Sequence, residues 1–333
     1  MHDNTPSSPL PATSTSAPGR AMPVDATNRI PASGERALVL GGGGSTGNAW
    51  LIGVVAGLSE AGVDVTAADL TIGTSAGSTA AAQLAGATPA ELYAAIADAA
   101  PLHPTRPTGQ AWAGATAPAA ARPPAGRPID HLARTGAIIA ASSGLDDLRR
   151  RMGVSARELD ASSDDGQQAR WRATVASRFA GSAWPARSLL LTAVDAETGD
   201  SVVFDRDSGV DLVDAVAASC AGGFAFRIDG HPYIDGGYRT NPENADLAAG
   251  YERVLVLSPF GGRTRLPLAW GLDLATQVEA LRAGGSRVET IGPRSEDRHL
   301  FDDAMNLALR PAAARAGYER GRELAERIGE LWG

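Results

Sequence analysis

The chain has 333 residues, 44% of them hydrophobic, which is enough to bury a sizeable core and excludes disorder of the whole. Its net charge is -8, it contains no lysine, and its arginines are scattered, so no concentrated basic surface for nucleic acid is present. A single cysteine, Cys220, excludes an intramolecular disulfide and a cysteine-based metal cluster, and a reduced, cytoplasmic setting is expected.

Met1 to Glu35 is rich in Pro, Ser, Thr and Ala and lacks the apolar core of a signal peptide. It is read as a disordered tail, 1–35, ahead of one α/β domain, 36–333. No charge-free apolar run reaches about 18 residues, so any membrane contact is expected to be peripheral. "RALVL" (Arg36 to Leu40) reads as a strand, four glycines follow, and Asn48 to Ala61 carries Leu51, Val54, Val55 and Leu58 at helical spacing. "ADLTIG" is a second strand, "TSAG" an abrupt turn and "STAAAQLAG" a second helix, together a βαβα opening with parallel strands.

Residues 101–180 read as a variable, lid-like insertion: Pro101 to Arg127 is irregular, and Ile129 to Ala180 alternates helices with charged turns. "SLLLTAVDAETGDSVVF" is a strand pair turning at "ETGD", and Asp229-Gly230 is a two-residue hairpin turn. "RVLVLSP" adds a buried strand. From Pro267 to the end, 267–333, the chain reads as mostly helical and closes in a charged amphipathic helix that covers the sheet. Trp171, Trp184 and Trp270 read as packing residues.

Three stretches carry chemistry. Gly73-Thr74-Ser75-Ala76-Gly77 matches G-x-S-x-G, which sets a serine on a sharp strand-to-helix turn with the positive end of the helix beside it. Read alone, the pentapeptide is as consistent with plain turn chemistry; its place between a strand and a helix is what the mechanism requires. The glycine run also fits G-x-G-x-x-G as Gly42, Gly44 and Gly47. A dinucleotide site wants an acid at the end of the second strand, which here ends in Gly73-Thr74-Ser75, and a P-loop needs a lysine. Successive glycine amides beside a serine suit an oxyanion hole instead. The third stretch, Asp235-Gly236-Gly237, ends a strand on a carboxylate free to approach another backbone; a lone DGG is otherwise a hairpin turn. None of the five histidines has such a setting, and an ordinary Ser-Asp-His order requires His299.

Together "LVLGGGGSTGNAWLIGV", "GTSAG" and "ASCAGGFAFRIDGHPYIDGGYRTNPENADLAAG" resemble the oxyanion loop, nucleophile elbow and DGG block of the patatin-like phospholipase family, in order and rough spacing. The resemblance covers Arg36 to Ala100 and Leu189 to about Pro259 well. It implies a three-layer α/β/α fold with a central, mostly parallel sheet. It also implies a histidine-free Ser-Asp dyad hydrolysing acyl-lipid esters without metal or cofactor. By matching position, Ser75 is the nucleophile, Asp235 the general base, and Gly42, Gly43, Gly44 and Ser45 the oxyanion donors. Gly73 and Gly77 flank the elbow, and Gly236 and Gly237 complete the DGG motif. One position departs: the family usually has an arginine before the last loop glycine, where this chain has Thr46. The competing expectations are a dinucleotide-binding oxidoreductase and a lipid-binding relative without turnover.

Overall fold

The computed structural model describes residues 24–98, 131–161, 163, 166–181 and 183–333. Short apolar runs form β1 (Gly34–Leu40), β2 (Leu70–Gly73), β3 (Ser188–Asp195), β4 (Ser201–Phe204), β5 (Phe226–Ile228), β6 (His231–Asp235), β7 (Tyr251–Leu257) and β8 (Arg287–Ile291). Among the described residues they make one sheet, linked in the order β5-β6-β3-β2-β1-β7-β8, with β4 also on β3. The β3-β2, β2-β1, β1-β7 and β7-β8 pairs are parallel, and β4, β5 and β6 join as antiparallel partners.

Because successive strand side chains point to opposite faces, β1 feeds two cores. Leu38 and Leu40 pack with α1 (Gly44–Glu60), α7 (Leu212–Ser219) and α9 (Arg310–Trp332) on one face. Ala37 and Val39 pack with α8 (Leu274–Ala283) and the 3-10 turn Ala245–Ala248 on the other. This is a three-layer α/β/α architecture. A satellite cluster joins α5 (Leu145–Ala161) to Val194 and Ile234 of β3 and β6. The predicted helical stretches after residue 129 are α4 (His131–Ala141), α5 and α6 (Gln167–Ala176). Trp171 and Trp184 are packing residues whose indole N–H groups donate to the carbonyls of Ala217 and Val210.

The last helix covers the sheet by lying along α1 at a spacing that only glycine permits. A Cβ on Gly53 or Gly57 would strike the Ala314 and Tyr318 carbonyls, and one on Gly317 or Gly321 those of Trp50 and Val54.

The register around β3 places the site. Leu191 pairs with Gly73 of β2 and with Phe204 of β4, so β2 and β4 occupy opposite edges of β3. Ala193 pairs with Val202 of β4 and with Asp235 of β6, so β6 shares the edge used by β2. The two strands run toward each other along that edge, and Gly73 and Asp235 end two β3 residues apart.

Three expectations need correction. Residues 24–35 are not part of a tail: the Val24 and Ala26 amides donate to Ser208 and Val203, Ala26 is fully buried, and β1 begins at Gly34. The region after Pro267 is not helical throughout, because Arg287–Ile291 forms β8, parallel to β7. The first helix starts at Gly44, four residues before the predicted Asn48. Residues 1–23 of the expected tail and 101–130 of the expected insertion lie outside the described residues.

Candidate active site

Ser75 stands between β2 and α2 (Ala76–Gly86) at φ 53°, ψ -112°, a conformation L-residues rarely adopt. Holding it costs of order 1–3 kcal/mol, so the surroundings must over-determine it. The end of α7 does this. The Ser75 N–H donates to the Ser219 hydroxyl at 3.0 Å, and the Cys220 thiol donates to the Ser75 carbonyl at 3.0 Å. Burial pushes that thiol up to about 11, so it remains a neutral donor. Gly73 and Gly77 serve close approach: a Cβ at Gly77 would collide with the Leu40 carbonyl, and one at Gly73 would lie 2.8 Å from the Ser78 Cα.

Asp235 closes β6. Its Oδ1 accepts the Gly237 N–H at 2.8 Å, and the Ser75 side chain is near enough to favour the ionised carboxylate. Burial outweighs both effects and pushes the carboxyl up to about 6. Gly236 is required where β6 turns, since a Cβ there would collide with Thr192 of β3. The serine and the aspartate that the sequence suggested are therefore brought together, from positions 160 residues apart in the chain.

The glycine loop lies beside them; a Cβ built on Gly42 would be 3.6 Å from that of Ser75. The N–H of Gly42, expected as an oxyanion donor, is not free: it donates to the Pro242 carbonyl at 2.8 Å. Those of Gly43, Gly44 and Ser45 have no hydrogen-bond partner among the described residues. They open α1, so its positive end adds to their field. Gly44 has φ 62°, and a Cβ there would be 2.8 Å from the Ala304 carbonyl. That same carbonyl accepts the Thr46 N–H at 3.0 Å. A pyrophosphate seated on this helix end would meet the Ala304 oxygen, which weighs against the dinucleotide reading.

The histidines go elsewhere. His231 Nε2 pairs with Asp195 at 2.6 Å, and His299, exposed, bonds through Nδ1 to the Glu296 carbonyl. Among the described residues no histidine is recorded as bonded to Ser75.

Sequence reasoning missed Asn244, which ties the two loops together. Its amide nitrogen donates to Thr74 Oγ1 at 3.0 Å and to the Gly236 carbonyl at 2.9 Å, so one buried side chain spans the residues preceding the serine and following the aspartate. Its carbonyl oxygen accepts from Arg239 and Thr240, and its backbone is left-handed at φ 55°. The turn-forming "NPEN" was the available signal.

A family model described as "Patatin-like phospholipase" matches residues 38–248. Among solved structures, the chain is similar to the type III effector protein ExoU at 15% identity and a TM-score of 0.36; the match covers 90% of this chain and 53% of that one. The chain thus spans about half the length of that protein. No curated protein matches it.

Proposed function

The chain belongs to the patatin-like phospholipase family, and from that premise we propose that it is a serine acyl-ester hydrolase acting on lipid esters through Ser75 and Asp235. The observation that carries the proposal is the Ser75 side chain set close to the buried Asp235 carboxylate, beside the Gly43, Gly44 and Ser45 amides that have no partner among the described residues. In the proposed mechanism Ser75 Oγ attacks the ester carbonyl carbon while its proton passes to Asp235. The charge that develops on the carbonyl oxygen accepts hydrogen bonds from the N–H groups of Gly43, Gly44 and Ser45. Collapse expels the alcohol, protonated by Asp235, and leaves an acyl-serine. Water, deprotonated by the same carboxylate, then releases the fatty acid.

A carboxylate of ordinary acidity is a poor base for a hydroxyl. Burial that brings Asp235 to about 6 places it near neutral pH, where a general base is both ionised and basic enough to act. Phospholipase A specificity and contact with a membrane surface are parts of the same proposal. No helix among the described residues is long and apolar enough to cross a membrane. The test is mass-spectrometric mapping of fluorophosphonate adducts on wild type and on Asp235→Asn. A modified Ser75 that depends on Asp235 supports the proposal; an unlabelled wild type returns the weight to a lipid-binding relative without turnover.

A further inference from the structure

The first turn of α1 is held from outside by the segment that links β8 to α9. The Thr46 N–H donates to the Ala304 carbonyl at 3.0 Å, and Arg310 Nη1 donates to the Ser45 carbonyl at 2.7 Å. Both polar atoms of the Ser45–Thr46 peptide are therefore engaged by residues 304–310. Peptide units are planar, so fixing this one leaves only the Ser45 dihedrals between it and the preceding unit, which carries the Ser45 N–H. Upstream stand Gly43 and Gly44, whose backbones have no steric preference for one hand. Within α1 the Gly47 N–H holds the Gly43 carbonyl at 2.9 Å; the bonds from residues 304–310 add a second hold on the same row from outside the helix.

Arg310 also reaches past the loop. Its Nη1 donates to Ser45 Oγ at 3.2 Å and its Nη2 to Asn48 Oδ1 at 3.1 Å. Asn48 Nδ2 in turn donates to Gln83 Oε1 on α2 at 2.8 Å, so the bonds run from α9 through α1 to the helix that presents Ser75. All the acceptors of Arg310 are neutral, and no carboxylate is recorded as its partner among the described residues. Burial, with Arg178 nearby, lowers the guanidinium to about 10, so it stays cationic at neutral pH. A half-buried cation without a counter-charge is a poor choice for stability alone.

We infer that Arg310 is a positioning residue for the oxyanion loop, its guanidinium reaching from the last helix to the Ser45 carbonyl and hydroxyl and to Asn48. Thr46 itself is fully buried. The fork of Arg310 holds the Ser45–Thr46 peptide and keeps the amides of Gly43, Gly44 and Ser45 turned toward the ester carried by Ser75. The inference rests on the hydrolase reading above.

The test compares wild type, Arg310→Ala and Arg310→Lys in two readouts: the rate of Ser75 modification by a fluorophosphonate, and kcat and KM on p-nitrophenyl butyrate. Thermal unfolding is followed in parallel. Misplacing the donors lowers kcat by about 100-fold in Arg310→Ala and leaves KM nearly unchanged, because the loss falls on the transition state. Millimolar guanidinium chloride restores part of the rate of Arg310→Ala, and sodium chloride at equal ionic strength does not. Arg310→Lys, which keeps charge without the planar fork, also loses kcat; it decides the matter should the alanine variant fail to fold. Wild-type kcat in a folded variant, or a loss that guanidinium leaves untouched, overturns the inference. A wild type that resists the probe overturns the hydrolase reading, and the inference with it.

Discussion

Replacing Asp235 by Asn separates what the carboxyl does chemically from what it costs the fold. Burial raises it from the ordinary 3.8 to about 6, and each tenfold change in proton affinity is worth about 1.4 kcal/mol. A native pKa above the unfolded one means that the fold prefers the neutral carboxyl. That preference is fully satisfied below the unfolded value of 3.8 and is lost as pH rises through about 6, at a cost of about 3 kcal/mol. Asn is neutral throughout and keeps a carbonyl oxygen for the Gly237 N–H. In urea unfolding the variant is therefore expected to differ little from wild type near pH 4 and to exceed it by up to about 3 kcal/mol near pH 7.5, with the same m value. Ester turnover and fluorophosphonate labelling fall by about 10²–10⁴ in the same variant, because the proton acceptor is gone. Turnover like that of wild type refutes Asp235 as the base. A stability difference that does not grow between pH 4 and pH 7.5 refutes the strained, buried carboxylate.

Three other outcomes are expected. In wild type the rate of Ser75 labelling rises with pH through about 6 and then levels, since only ionised Asp235 accepts the proton; stopped-time labelling across buffers checks this. Asn244→Ala strips the Gly236 carbonyl and Thr74 hydroxyl of a buried donor and puts Ala at φ 55°. It costs about 2–4 kcal/mol in denaturant unfolding and slows labelling of the protein that remains folded. Gly321→Ala drives a methyl into the Val54 backbone and lowers stability by about 1–3 kcal/mol by forcing α9 off α1, again read by urea unfolding.

The sequence made the local geometry of the site legible where it is written in short-range chemistry. Asp229-Gly230 turns the β5-β6 hairpin with both residues at positive φ, and the strand, glycine, serine, glycine, helix order produces the elbow. Long-range partners were not legible. Nothing near Gly42 signals that its amide is consumed by Pro242, 200 residues away, and nothing near Ser45 points to Arg310. The early start of α1 was hidden because Gly, Ser and Thr are weak helix formers; the first turn is held by packing and by Ala304. The strand β8 was hidden for another reason. Of "RVETI" only Val288 and Ile291 are buried, too few to stand out against the helical periodicity on either side.

Because β3 receives both β2 and β6 along one edge, hydroxyl and carboxylate have no native relationship until a strand drawn from between them in the chain is seated. An amino-terminal fragment stopping short of residue 188 carries the elbow with nothing to activate it. On the proposed mechanism Ser75 becomes reactive only once β3 and β6 are seated, so the onset of fluorophosphonate labelling during refolding is expected to time that step.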